Sequence, residues 1–204
     1  MGSKRWRIAL AATVATVGAT TVTAATVSGR SPQPEPGEAR AAIKNVQGQL
    51  VANVRLVPRP DRGVEVRVSG AGISPGFHGF HVHERGVCDP ASTDASGAPA
   101  PFTSAGGHFQ SGSQVHAGHL GDFPPLLVTS GGRSRAVFIT DRFTIAQLID
   151  ADGSALIIHA QPDNQGNIPS RYQSPTGTGP DSATLATGDS GARFGCGVVM
   201  RETG

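Results

Sequence analysis

The sequence is poor in several residue types, and each shortage narrows the range of functions. Aromatic residues make up only 5% of the 204 residues, with one Trp and one Tyr. Because no cluster of Lys and Arg is interleaved with aromatic residues, we set nucleic-acid binding aside. Gly and Pro are abundant instead, with 28 and 15 residues. This composition favours many turns and short strands over long helices, in one domain of ordinary size.

The amino-terminal segment has no long run of strongly apolar residues. Three basic residues lie within the first seven positions, and a short apolar stretch and then small residues follow them. This order is typical of an export signal, which we expect over residues 1–27. The alternative is an uncleaved membrane anchor, but the many Thr and Ala residues make the segment weakly hydrophobic. Because no cysteine lies near its end, lipid attachment there is excluded. We expect an exported protein that is extracellular, periplasmic or associated with the cell envelope.

The formal net charge of the whole chain is +2. Without the three basic residues of that segment it is +2 − 3 = −1, so the rest of the chain is not basic. Residues 28–40 are rich in proline and have no apolar period, which predicts a disordered, extended linker. The folded domain is then expected over residues 41–204. Cys88 and Cys196 are the only cysteines. In an oxidising compartment a disulfide is the usual interpretation, and two unpaired buried thiols are the alternative.

Short strands are predicted through most of this domain. In residues 64–68, Val alternates with charged side chains, as expected of a half-buried strand. Further strands are predicted at 51–57, 79–84, 126–128, 135–139, 155–158 and 196–200, and a short helix or turn at 144–150. Residues 85–114 and 161–191 have neither period, and loops of such length are usually functional or disordered. Seven or eight short strands with long loops indicate an antiparallel β-sandwich or barrel.

The stretch from Gly76 to His83 holds the first candidate site. His81 and His83 are two residues apart, so on a strand both side chains point to the same face, while Val82 points to the other. Two imidazoles on one strand can bind a transition metal together. The alternative for the pair alone is a surface strand with two solvated histidines.

The remaining histidines extend this pattern. His108 follows two glycines, and His159 ends an apolar run that reads as a buried strand. His116, His119 and Asp122 form a His-x-x-His-x-x-Asp motif. Several imidazoles with one carboxylate suit zinc or copper. Taken alone, the His-x-x-His-x-x-Asp motif is equally compatible with a polar loop.

Four segments together resemble the copper–zinc superoxide dismutase family, and most of all its secreted bacterial branch. The segments are GFHGFHVHE at 76–84, GGHF at 106–109, HLGD at 119–122 and GARFGCGVV at 191–199. They occur in the family's order, and the resemblance runs from about Lys44 to Met200. It implies an eight-stranded antiparallel Greek-key β-barrel or sandwich with two long functional loops.

The resemblance also implies roles for individual residues. Four histidines match copper ligands: His81, His83, His108 and His159. His108 also matches the family's bridge between copper and zinc, and His119 and Asp122 match zinc ligands. Asp163 matches the carboxylate that links ligands of the two metals, and Arg193 matches the arginine beside copper. Thr187 matches the threonine that narrows the channel. Cys88 and Cys196 match the family's disulfide, and His78 matches a structural histidine.

The zinc half departs from the family pattern at one position. The further zinc histidine normally lies eight or nine residues before the one matched by His119, where this chain has Gln110 or Ser111. His116 is the only candidate, three residues before His119. Either a shortened loop still lets His116 bind zinc, or the site holds copper alone. From the number of ligands we expect zinc.

The resemblance implies an exported superoxide dismutase that uses copper and zinc. Copper would alternate between Cu(II) and Cu(I), while Arg193 attracts the superoxide anion and His108 takes up and releases a proton. A non-catalytic copper- or zinc-binding domain on the same fold is the alternative, and a secreted adhesion module with incidental histidines is a third. All four copper ligands and Arg193 are present, which favours the enzyme. The quaternary state, monomer or homodimer, stays open.

Overall fold

The computed structural model describes residues 37–61 and 63–202. The expected export signal at 1–27, and residues 28–36 of the expected linker, lie outside the described residues. Within the described ranges, no helix has the length and apolar character needed to cross a membrane.

Twelve strands and three short helices make up the described chain. The strands are β1 (Ala39–Asn45), β2 (Leu50–Pro58), β3 (Val64–Ala71), β4 (Gly76–His78), β5 (Phe80–His83), β6 (Leu126–Val128), β7 (Arg133–Thr140), β8 (Ala155–His159), β9 (Gln173–Ser174), β10 (Gly177–Thr178), β11 (Arg193–Val198) and β12 (Met200–Arg201). The helices are a 3-10 turn at Thr103–Ala105, α1 (Ile145–Leu148) and α2 (Ser182–Thr187).

Eight of these strands form one curled antiparallel sheet. Its order is β5-β8-β11-β1-β2-β3-β7, and β12 also pairs with β1. Neighbours that are distant in sequence, such as β3 with β7 and β5 with β8, require crossover connections. Two small two-stranded sheets, β4-β6 and β9-β10, complete the arrangement. The predicted all-β, eight-stranded antiparallel architecture is therefore confirmed.

Alternation of side chains builds the core inside the curled sheet. On the first three strands most buried apolar positions are two residues apart, namely Ala39, Ala41 and Ile43 on β1, Ala52, Val54 and Leu56 on β2, and Val64, Val66 and Val68 on β3. Val51, next to Ala52, is buried as well. Strand β8 differs, because all five of its side chains are buried. Leu156 and Ile158 join the main core, whereas Ala155 and Ile157 pack with Cys196 in a second, smaller cluster. A loop therefore covers the outer face of β8.

The residues that cover the outer face of β8, Phe102 and Ala105, belong to the first of two long connections. The first, residues 84–125, joins β5 to β6 and holds Cys88; the second, residues 160–192, joins β8 to β11 and contains α2. Asp181 caps the start of α2, since its Oδ1 accepts a hydrogen bond from the backbone N–H of Thr184 at 2.9 Å. Gly188 ends the helix in the left-handed conformation, with φ of 61°. These are the two long loops that the resemblance implied.

Several elements differ from the sequence-based prediction. Strand β1 was not predicted, and it begins at Ala39, two residues before the expected start of the domain. The strand predicted at 196–200 starts earlier, at Arg193, and is interrupted before Met200. Helix α2 lies in a segment predicted as loop. Each miss involves short or Gly- and Ala-rich segments, in which tertiary pairing outweighs a weak local preference.

Candidate metal centre

Strand β5 presents both of its histidines on one buried face. His81 and His83 are 0% and 1% exposed, and Phe80 and Val82 fill the core on the other side. The outer edge of β5 pairs with loop 84–125. The backbone N–H of Val82 donates to the carbonyl of Gly121 at 2.9 Å, and Phe109 N–H donates to the Val82 carbonyl at 2.8 Å. These bonds place the neighbouring residues His108 and Asp122 beside the strand.

Strand β8 brings the fourth histidine to the same place. His159 ends the strand, where it is paired with Arg193 of β11. Its backbone N–H donates to the carbonyl of Gly79 at 2.8 Å, just before β5. His81, His83, His108 and His159 each offer a ligand atom within 4.8 Å of the others'. We call these four residues the histidine group.

Hydrogen bonds fix which ring nitrogen of each histidine is free. His83 Nδ1 donates to the carbonyl of Gly106, and His159 Nδ1 donates to the carbonyl of Gly191, both at 3.0 Å. The Nε2 atoms of His83 and His159 then carry lone pairs and lie 3.4 Å apart. His81 Nε2 lies 2.5 Å from a carboxylate oxygen of Asp163, which leaves its Nδ1 free. Outer partners of this kind orient metal-binding imidazoles.

Burial keeps these rings neutral. It lowers the pKa of His81, lowers that of His83 well below the usual value, and lowers that of His108 to about 4. Burial and the neighbouring His81 lower the pKa of His159 to about 3. A neutral imidazole is the form that binds a metal ion. The histidine group is therefore poised to coordinate a metal at neutral pH.

Asp122, His116 and His119 lie on the Nδ1 side of the His108 ring. We call these four residues the carboxylate group. Asp122 is at its centre. One oxygen lies 2.8 Å from His108 Nδ1, and the other lies 3.2 Å from Nδ1 of both His116 and His119. Three imidazole nitrogens thus face one carboxylate. His108, His116 and Asp122 offer donor atoms within 4.8 Å of one another, and the fourth member of that compact set is His81. With His119, which faces the same carboxylate, the group offers three nitrogens and one oxygen, a donor set that suits zinc.

The charges within this group balance in the metal-free protein. Burial alone would lower the pKa of His116, but the hydrogen bond that it donates to Asp163 and the adjacent carboxylate of Asp122 outweigh burial and raise the pKa to about 9. Burial alone would raise the pKa of Asp122, but the hydrogen bond from His108 and the adjacent His116 ring hold it well below its usual range. A proton on His116 therefore compensates the buried carboxylates. A divalent cation can take over that compensation.

A single carboxylate connects the two groups. Asp163 Oδ1 accepts a hydrogen bond from His116 Nε2 at 2.7 Å, and Oδ2 contacts His81 Nε2. Its side chain is fully buried. Gly188, at the end of α2, packs directly against this pair, and a Cβ there would overlap the His116 ring and the Asp163 carboxylate. Helix α2 therefore covers the connection between the two groups.

The donor atoms fit a bound metal by a further criterion. Among the described residues, three buried ring nitrogens have no hydrogen-bond partner: His81 Nδ1, His108 Nε2 and His116 Nδ1. Buried polar atoms are nearly always satisfied, so an orphaned set requires an explanation. Ligation to metal ions would satisfy all three. The residues present thus fit copper at the histidine group and zinc at the carboxylate group.

A cavity of about 350 Å³ opens from the histidine group to solvent. Thr187 and Arg193 are among the residues that line it. Arg193 Nη1 and Nη2 donate to the carbonyls of Phe102 and Gly106, both at 2.6 Å. Burial and the nearby Arg85 lower the pKa of Arg193 to about 10, so it stays positively charged at neutral pH.

Sequence reasoning missed one charged residue in this cavity. Asp189 lines it, and its Oδ2 accepts hydrogen bonds from the Tyr172 hydroxyl at 2.7 Å and from Asn164 Nδ2 at 3.0 Å. The cavity therefore carries one positive and one negative side chain. The only signal in the sequence is the position of this acid between Thr187 and Arg193.

The structure places the remaining residues named in the sequence analysis outside the two groups. Cys88 and Cys196 form a disulfide with a Cα–Cα distance of 5.6 Å, which joins the first long loop to β11. His78 belongs to neither group. Its Nδ1 lies 2.7 Å from the His159 carbonyl and its Nε2 lies 2.8 Å from the Ser74 carbonyl, which agrees with a structural histidine.

Comparison with known proteins gives one consistent family. The family model for copper/zinc superoxide dismutase matches residues 50–199. The superoxide dismutase [Cu-Zn] of Mycolicibacterium paratuberculosis is 44% identical over 139 residues, which are 67% of this chain and 61% of that protein. The superoxide dismutase [Cu-Zn] of Escherichia coli is 33% identical over 158 residues, which cover 74% of this chain and 80% of the relative. This chain spans about three fifths of the length of its mycobacterial relatives.

A solved structure extends the likeness to three dimensions. The copper/zinc superoxide dismutase of Brucella abortus superposes with a TM-score of 0.60 at 27% sequence identity. The match covers 79% of this chain and 98% of that chain.

Proposed function

Because the chain belongs to the copper/zinc superoxide dismutase family, we propose that it catalyses the dismutation of superoxide. Two superoxide anions and two protons give one molecule of oxygen and one of hydrogen peroxide. The observation that supports this most strongly is the convergence of four neutral, buried imidazoles, three of which line a cavity that Arg193 also lines.

We propose that the histidine group holds copper, with His81, His83, His108 and His159 as the ligands. Bound there, copper supplies one-electron chemistry by alternating between Cu(II) and Cu(I). The positive charge of Arg193 attracts the small anion into the cavity and holds it beside the histidines. The two carbonyls that Arg193 donates to keep its guanidinium in place. Thr187 narrows the opening and admits small anions only.

His108 is the proposed proton carrier. Its Nδ1 is occupied by Asp122, whereas its Nε2 is buried without a partner in the described chain. Nε2 would therefore bind copper and, whenever copper is not bound to it, would carry a proton to the reduced oxygen species.

The carboxylate group is proposed to hold zinc through His108, His116, His119 and Asp122. A divalent cation there would replace the proton that His116 carries in the metal-free protein, and these four residues would hold it. His116 is therefore included as a ligand in spite of its unusual spacing.

The compartment is part of the same proposal. The Cys88–Cys196 disulfide is typical of proteins in oxidising compartments, and the amino-terminal sequence has the order of an export signal. We therefore infer an exported enzyme whose substrate is the small anion superoxide.

Metal analysis together with a superoxide-consumption assay tests the proposal. The full domain is expected to bind one copper and one zinc and to consume superoxide only when copper is present. His83→Ala should lose copper and activity, and the exposed Asp150→Asn is the matched control. A copper-loaded wild-type protein that does not consume superoxide would instead indicate a non-catalytic metal-binding domain.

A further inference from the structure

Arg142, in the turn after β7, reaches the loop that carries the carboxylate group. Its Nη1 lies 3.0 Å from the carbonyl oxygen of His119, 3.3 Å from that of Ala117 and 3.4 Å from that of Asp122. We propose that Arg142 is a positioning residue for the zinc half of the site. This inference rests on the proposed zinc site, and it concerns affinity for the metal rather than the chemical reaction.

The loop has few other contacts that could fix these carbonyls. Between His116 and Asp122 the chain forms turns and no strand or helix. Among the described residues, the Ala117 carbonyl accepts a hydrogen bond only from Arg142. The His119 carbonyl otherwise accepts only a long bond of 3.3 Å from Asp122 N–H. One guanidinium group therefore binds the backbone on both sides of His119.

The base of the Arg142 side chain is itself held in register with the metal loop. The next residue, Phe143, is 2% exposed, and its ring centroid lies 6.4 Å from that of Phe109 and 5.9 Å from that of Phe123. Phe109 follows His108 in sequence, and Phe123 follows Asp122. These aromatic contacts thus fix the turn next to His108 and next to Asp122. From this position the guanidinium reaches the backbone carbonyls of the loop around His119.

The chemistry of the side chain suits this task. A guanidinium has several N–H donors in a planar, rigid fork, and each hydrogen bond to a carbonyl is strengthened by its positive charge. Carbonyl oxygens held this way keep the side chains of His119 and Asp122 directed at the same point. Without Arg142 the metal has to supply more of the ordering of the loop around His119, and the cost of that ordering appears as weaker binding.

The effect should be confined to one half of the centre. His81, His83 and His159 lie on β5 and β8, and Arg142 makes no hydrogen bond to either strand in the described chain. Copper affinity is therefore expected to stay unchanged when Arg142 is replaced. Replacement of residues that support metal ligands typically lowers affinity by about 10–100-fold, and we expect the lower end because Arg142 contacts backbone rather than ligand rings.

The test compares Arg142→Ala with Arg135→Ala. Arg135 is an exposed arginine on β7 whose side chain has no hydrogen bond among the described residues. Zinc and copper affinities are measured separately by competition with chelators, and Co²⁺ is used as a coloured substitute for zinc. We expect Arg142→Ala to bind zinc about tenfold more weakly, with an altered Co²⁺ absorption spectrum and unchanged copper affinity. Arg135→Ala should behave as the wild type.

Three results would overturn the inference. The first is wild-type zinc affinity in Arg142→Ala. The second is an equal loss of copper and zinc affinity, which would mean general destabilisation. The third is a wild-type protein that binds copper but neither zinc nor Co²⁺; superoxide consumption by that protein would still support the proposed function. If Arg142→Ala does not fold, Arg142→Gln decides, and it should show a smaller loss of zinc affinity alone.

Discussion

Replacement of Asp163 by Asn should weaken the copper half of the centre more than the zinc half. The carboxylate accepts from two rings, His116 Nε2 at 2.7 Å and His81 Nε2 at 2.5 Å. An amide of the same shape can accept through its oxygen from only one of them, and its NH₂ group must face the other. The ring facing the NH₂ group has to present a lone pair on Nε2, so its proton moves to Nδ1.

The pKa values decide which ring changes. Burial lowers the pKa of His116, but the carboxylates of Asp122 and Asp163 raise it to about 9 in the wild type. Asp122 stays beside His116 in the variant, so this ring keeps its N–H groups and retains the amide oxygen. Burial lowers the pKa of His81, so this neutral ring accepts from the NH₂ group. Its proton then occupies Nδ1, the nitrogen that should bind copper. We expect a 10–100-fold loss of copper affinity, about 1.4–2.7 kcal/mol.

Competition titrations with chelators, performed separately for each metal at neutral pH, measure this difference. Asp150→Asn is the control, since Asp150 is exposed and its side chain has no hydrogen bond in the described chain. Unchanged copper affinity in Asp163→Asn, or a loss confined to zinc, would refute the tautomer argument.

Three further outcomes are expected. Arg193→Gln should keep copper but react with superoxide at least tenfold more slowly, and its rate should depend less on salt. Pulse radiolysis at rising ionic strength measures both effects, and an unchanged rate would contradict the role of Arg193. Cys88→Ser combined with Cys196→Ser should lower the free energy of unfolding in urea by up to about 4–5 kcal/mol, because the disulfide closes a loop with a separation of 108 residues; a loss below about 1 kcal/mol would argue against this estimate. In the metal-free protein, burial and the neighbouring His81 lower the pKa of His159 to about 3, and burial lowers that of His83. The unfolded chain then binds more protons below about pH 6.5, so stability should fall as the pH drops from there toward 3; denaturant titrations that show greater stability in acid would contradict this.

Regular alternation made the central strands predictable. Residues 64–68 alternate Val with charged side chains, and the structure has β3 there with all three Val residues in the core. Strand β1 escaped prediction because its inward residues are mostly Ala, which gives a weak apolar period. Helix α2 escaped because six residues between loops carry too short a pattern, and its start depends on the cap at Asp181.

The histidine group was predictable in a different way. His81 and His83 share a face by the geometry of any strand, whereas His108 and His159 were placed with them through resemblance to a family. Arg142 and Asp189 could not be found in either way. Arg142 acts through carbonyl oxygens, which every residue has, and Asp189 is one exposed acid among loop residues.

The sequence by itself determined which chemical groups are available, namely the imidazoles, the acid of the His-x-x-His-x-x-Asp motif and two cysteines. It also determined strands short enough for a curled antiparallel sheet. Only the tertiary structure decided where His116 lies. Its spacing to His119 departs from the family pattern, but the folded loop brings its two ring nitrogens to the carboxylates of Asp122 and Asp163. The physical reason is that ligand geometry depends on distances in space. Those distances are set by backbone pairing of the loop with β5, by the packing of α2 over the site and by the contacts of Arg142. Spacing along the chain does not set them.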